Sequence, residues 1–144
     1  MPQRASVLLA ALWWGSLTTL GFLVVPMLFA HLPTPAMAGN LAAKLFSAQT
    51  WMSLACGLLL LVFFSSNREH HGAQRPSLTL FLVVSALLLA LLTEFAVAPR
   101  IVARENLKLW HGVGMAFYVL QWFCTLVLLW RLAGGPPALK PAVP

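Results

Sequence analysis

Four apolar runs, each long enough to cross a bilayer, dominate this chain. They cover about residues 5–31, 41–64, 78–98 and 112–131, and a helix needs about 20 apolar residues to traverse the hydrocarbon. Of the 144 residues, 60% are hydrophobic and only 8% charged, whereas a soluble domain carries about a quarter charged residues. A soluble fold of this length has no interior large enough to hide that surface. The expected fold is therefore all-α and integral to the membrane: a four-transmembrane-helix bundle over residues 1–131, followed by a disordered Pro/Gly-rich tail at 132–144.

The N-terminus imitates a secretory signal, with Arg4, an apolar run and Ala36-Met37-Ala38. A signal core spans about 7 to 15 residues. Here the run lasts to Ala30 and contains Trp13, Trp14 and Pro26, so it reads as a retained helix. The formal charge of +6 comes from nine Lys and Arg set singly between apolar runs. A nucleic-acid face would cluster them, so nucleic acid is not an expected partner, whereas flanking cations suit anionic lipid headgroups. Cys56 and Cys124 lie inside apolar runs with no CxxC spacing and read as small hydrophobes.

Local signals mark the borders. Thr34-Pro35 offers an N-cap and a first-turn proline for the second helix, and Pro76-Ser77 precedes the third. Pro99 stands where the third helix should end or kink. Trp51, Trp110 and Trp130 are placed as an interfacial belt, while Trp13, Trp14 and Trp122 should pack between helices. Ala11/Gly15, Ser53/Gly57 and Gly112/Ala116 are small pairs four apart that favour close helix contacts. With both termini cytoplasmic, five Lys and Arg lie inside and four outside. The positive-inside rule thus favours a multi-pass inner-membrane protein with both termini in the cytoplasm.

In that topology the first and third connections share one membrane face. They gather His31, Lys44, Glu94, Arg100, Arg104, Lys108 and His111 there. Glu94, about one turn inside its run, is expected to be ion-paired, with Lys44 reaching from the second helix or with Arg100 beyond the break at Pro99. The stretch after Pro99 mixes Ile101, Val102, Leu107 and Trp110 with Arg100, Arg104, Asn106 and Lys108. It reads as a short amphipathic helix in the headgroup plane, on which Arg100 and Arg104, four apart, could both grip phosphate. Anionic headgroups or an anionic solute are the ligands this predicts.

Met27–His31 and His111–Met115 are each four apart and belong to the same face. Imidazole with thioether suits copper, and two histidines could instead ligate haem. Apart from this alternative, no cofactor is expected. The sequence has no GxSxG, HExxH or phosphate loop, and it contains no Asp, which points away from an enzyme.

The stretches "LWWGSLTTLGFLVVPMLFAHL", "AGNLAAKLFSAQTWMSLACG" and "APRIVARENLKLWHGVGM" resemble the transmembrane protein 205-like family, in its compact bacterial form. The likeness covers roughly residues 8 to 125. It rests on Gly21 and Pro26, the triplet Lys44-Leu45-Phe46, Pro99 with Arg100, and His111-Gly112. The resemblance implies four membrane helices and no established biochemical activity, and it places Lys44, Arg100 and His111 in the family pattern. Three functions remain open from the sequence. The first is binding of lipid, an anion or a partner at the face of Lys44, Arg100 and His111. The second is a copper or haem protein using His31 and His111. The third is a small-solute transporter or transporter subunit, which with four short helices would have to form homo-oligomers or join a membrane complex.

Overall fold

The computed structural model describes residues 2–71 and 77–134, with side chains placed for 4–66 and 78–134. All its regular elements are helical. Four spans, Arg4–His31, Pro35–Ser66, Leu78–Val102 and Leu107–Ala133, are long and apolar enough to cross a membrane. The first comprises α1 (Pro2–Thr19), a π-helical turn (Leu20–Val24) and α2 (Val25–His31). The second is α3 (Pro35–His71). The third comprises α4 (Ser77–Leu92), a second π-helical turn (Thr93–Val97) and α5 (Ala98–Val102), and the fourth is α6 (Leu107–Ala133). The tail from residue 135 onward lies outside the described residues, while 132 and 133 still belong to α6.

The helices are longer than hydropathy alone predicts, for local reasons. α3 begins at Pro35 because Thr34 Oγ1 accepts the Met37 N–H at 3.3 Å and proline needs no partner in the first turn. The third helix does not stop at Ala98 but passes Pro99 and continues to Val102. Proline removes one backbone donor and crowds the preceding turn. The wider π turn just before it absorbs both effects, with the Ala98 N–H bonding to the Thr93 carbonyl. α6 starts at Leu107 rather than near residue 112. No in-plane amphipathic helix forms between the third and fourth spans. Residues 103–106 instead make a tight turn in which Arg104 and Asn106 have φ of 56° and 37°, left-handed values uncommon outside glycine.

The first span repeats the device of the third. Its π turn likewise precedes a proline, and "LGFLVVP" at 20–26 matches "TEFAVAP" at 93–99 in Phe, Val and Pro. The following helices carry a second match, "FSAQ" at 46–49 against "YVLQ" at 118–121. The molecule is thus two similar helical hairpins, one of spans one and two, the other of spans three and four. The spans close a ring: α1 packs on α3 and α6, and α4 packs on the same two. Phe46 and Tyr118, equivalent in the two hairpins, meet edge-to-face with ring centroids 5.3 Å apart.

The apolar core lies towards the end where the first span begins and the fourth ends. Trp13, Leu17, Leu60, Val83, Ala86 and Leu128 are essentially inaccessible there. Of the small-residue pairs, Ser53/Gly57 makes a close contact: a Cβ on Gly57 would lie 2.5 Å from Leu87. Gly15 and Gly112 meet no neighbour within 4 Å, and Gly15 lines an open groove on the outside of α1 with Ala11 and Thr19. Trp13 packs between helices as expected, and Trp14 and Trp122 meet at 5.7 Å. Trp51 does not sit in an interfacial belt. It lies midway along its span and is 64% exposed, facing outward.

Candidate functional site at the turn end of the bundle

Away from the apolar core the interior becomes polar. Gln49 Nε2 donates to Ser16 Oγ at 2.9 Å, Gln121 Nε2 to Ser53 Oγ at 3.1 Å, and Trp122 Nε1 to Thr18 Oγ1 at 2.8 Å. In lipid such interhelical bonds average about 0.6 kcal/mol each, so they specify helix register more than they add stability. Tyr118 reaches further. Its hydroxyl donates to the Leu17 carbonyl at 2.7 Å, across the bundle from the first π turn. It thereby gives a carbonyl one turn before Gly21 a donor from another helix. Only glycine permits this approach, since a Cβ at position 21 would lie 2.6 Å from the Tyr118 ring.

Glu94 occupies the position in the third span that Gly21 holds in the first. It lies eight residues before Val102, and Val102 ends the span. At about 1.5 Å per residue it sits roughly 12 Å below that end, two turns deep rather than one. The extension of the helix through Pro99 accounts for the added depth. Its partner is Ser47, whose Oγ donates to Glu94 Oε1 at 2.7 Å. Neither Lys44 nor Arg100 pairs with it, and no salt bridge forms among the described residues. Lys44 lies one turn beyond Ser47 towards the turn end and is exposed, so its ammonium is free to extend to the headgroups.

Arg100 is also engaged elsewhere. Its Nη1 donates to the Ala96 carbonyl at 2.7 Å, closing the end of its own helix, and its guanidinium lies 4.3 Å from the Trp110 ring centroid. Arg104 belongs to the left-handed turn, so the spacing of four from Arg100 is not a helical repeat and the two do not share one helix face. The structure does place Lys44, Arg100, Arg104, Lys108 and His111 at one end of the bundle, all exposed. Arg104, Lys108 and Lys44 make no side-chain hydrogen bond or ion pair to a described residue.

Residues 8–109 match the family described as a domain of unknown function, DUF4149. The chain belongs to this family. No curated protein and no solved structure matches it. The DUF4149 match includes both π turns, Ser47, Glu94 and the cations up to Lys108, and stops short of His111 and Tyr118.

The Met and His pairs of this DUF4149 member also fall at the turn end, on the adjoining first and fourth spans. His31 Nδ1 lies 3.0 Å from the Met27 carbonyl, which directs the ring back along its own helix and leaves Nε2 outward. Met27 and Met115 are 51% and 63% exposed, so both thioethers point away from the bundle rather than towards a shared centre. Two features escaped the sequence reading, Ser47 as the partner of Glu94 and Tyr118 as the partner of the first π turn. The signal that could have found both is the recurrence of Phe-x-Val-x-Pro and Phe/Tyr-x-x-Gln, which aligns Gly21 with Glu94 and Phe46 with Tyr118.

Proposed function

We propose that this protein is a multi-pass inner-membrane protein whose turn end holds phosphate-bearing lipid headgroups. The observation that carries the reading is the set of exposed cations, Lys44, Arg104 and Lys108, that have no partner among the described residues. Each basic residue near an anionic surface contributes about 1 kcal/mol of attraction, weakened by salt. Glu94 is turned inward to Ser47 and does not offset them. The slight excess of cations at the other face favours cytoplasmic termini and sets the headgroup-binding end outside. The likeness to the transmembrane protein 205-like family belongs with this reading. The test is native mass spectrometry of the protein against Arg104→Gln/Lys108→Gln. Retained anionic lipid should fall in the double variant while Arg100→Gln retains it, because the Arg100 guanidinium is held on Trp110. Equal lipid retention in all three would refute the reading. Alkaline phosphatase fused after Trp130 should be inactive if the termini are cytoplasmic.

A further inference from the structure

We propose that Glu94 and Ser47 form a binding site for one small cation, a proton or an alkali metal ion, inside the membrane-spanning part of the bundle. The argument starts from charge. Glu94 is the single acidic residue within the four spans, and an ionisable side chain at this depth is retained at a cost unless it is neutralised. No cationic side chain among the described residues pairs with it, and its one partner is a neutral hydroxyl. One hydrogen bond to a charged group recovers only about 1.5–3 kcal/mol, less than the several kcal/mol lost on taking the ion out of water. No described residue supplies the neutralising charge, and a bound cation would.

The surroundings supply what a small hard cation binds. Glu94 Oε2 and the lone pairs of Ser47 Oγ provide oxygen donors of the kind that alkali ions take. The π turn follows from Thr93 to Val97, and Pro99 beyond it brings no N–H to the carbonyls of that turn. Irregular helical turns at membrane depth supply carbonyl ligands for cations in other helical bundles. The first hairpin lacks the same equipment. Gly21 stands for Glu94, Val119 for Ser47, and the Tyr118 hydroxyl already fills the turn. The described charged or titratable groups on the neighbouring elements towards this end are Lys44 on α3, Arg100 on α5, and Lys108, His111 and Tyr118 on α6, with Cys56, Cys124 and Arg131 further towards the apolar core. None of them bonds to Glu94.

The test uses the whole protein in lipid vesicles and the apolar reagent dicyclohexylcarbodiimide, with the modified peptide read by mass spectrometry. A carboxyl oxygen adds to the carbodiimide carbon and the acid proton passes to nitrogen, so a bound metal ion blocks the reaction. Labelling is expected at Glu94 in choline chloride. Suppression by sodium, lithium or potassium chloride at constant ionic strength assigns the site to an alkali ion. Labelling that ignores these ions but fades as pH is raised assigns it to a proton. Ser47→Ala keeps the carboxylate and should raise the protecting concentration of an effective alkali ion about tenfold, the equivalent of one lost ligand of about 1.4 kcal/mol; where a proton is the occupant, loss of the hydroxyl donor should instead let labelling persist to higher pH. Glu94→Gln should lose the modification altogether. Absence of labelling at Glu94, or labelling indifferent to both ions and pH, overturns the proposal. Neither outcome touches lipid retention at Arg104 and Lys108.

Discussion

At Leu20–Val24 the helix takes its polar partner from across the bundle. Tyr118 presses onto Gly21 and donates its hydroxyl to the Leu17 carbonyl. At Thr93–Val97 the equivalent neighbour is Phe46, which has no hydroxyl. There the polar contact is made between side chains, Ser47 to Glu94. The backbone device is the same in both places: a π turn ahead of a proline, preceded and followed by α-helix. One copy is filled by a neutral side chain and sealed by packing. The other carries a carboxylate. Two similar hairpins thus supply a structural joint in the first and a chemically equipped joint in the second.

The comparison is broken most readily at Gly21. Gly21→Leu drives a side chain into the Tyr118 ring and should cost about 3 kcal/mol, the upper range for overpacking. Gly15→Ala, where nothing lies within 4 Å, should be close to neutral. Thermal unfolding in detergent reads both, and equal effects would mean that Tyr118 does not seal the first turn. Tyr118→Phe makes the first joint resemble the second without its carboxylate. It leaves the Leu17 carbonyl short of this donor and should cost about 2 kcal/mol; a Tm unchanged from the parent would show that the π turn does not depend on the hydroxyl.

The second joint is sharpened by double-mutant cycles. Glu94→Gln with Ser47→Ala should show a coupling of about 1 kcal/mol. Glu94→Gln with Lys44→Met should be additive within about 0.5 kcal/mol. Coupling to Lys44 instead would restore the ion pair that the sequence suggests. The smallest effect is expected at Arg100, where Arg100→Gln removes the contact with Trp110 and should cost about 0.5–1 kcal/mol. It should also shift Trp110 fluorescence, which a purely electrostatic role for the arginine would leave unchanged.

The spans were legible in the sequence because hydropathy and length decide them directly. Their ends were not, because Pro35 and Pro99 act in opposite ways on similar signals. Pro35 opens a helix as first-turn prolines do. Pro99 reads as a stop, but in a bundle the groups it frees can be satisfied by a widened turn, and the helix runs on. The cationic end was legible too, since topology alone gathers Lys44, Arg100, Arg104 and His111. The individual partners were hidden. A carboxylate and a lysine gathered by topology at one membrane face suggest a salt bridge, yet the pitch of α3 presents Ser47 to Glu94 and turns Lys44 outward. Likewise the spacing of Arg100 and Arg104 implies a shared helical face only if no turn intervenes, and the left-handed residues at 104 and 106 are invisible to periodicity.

The tight turn at 103–106 also limits how far spans three and four can separate. Four residues reach at most about 14 Å when fully extended, so spans three and four can never be far apart once both are synthesised. Backbone bonds from Arg104 to Ile101 and from Glu105 to Arg100 hold the reversal locally. The carboxylate of Glu94 therefore need not enter lipid on a lone helix. The second hairpin can partition from the insertion machinery as one preassembled unit, with α6 already covering part of the third span's surface as it leaves the aqueous channel.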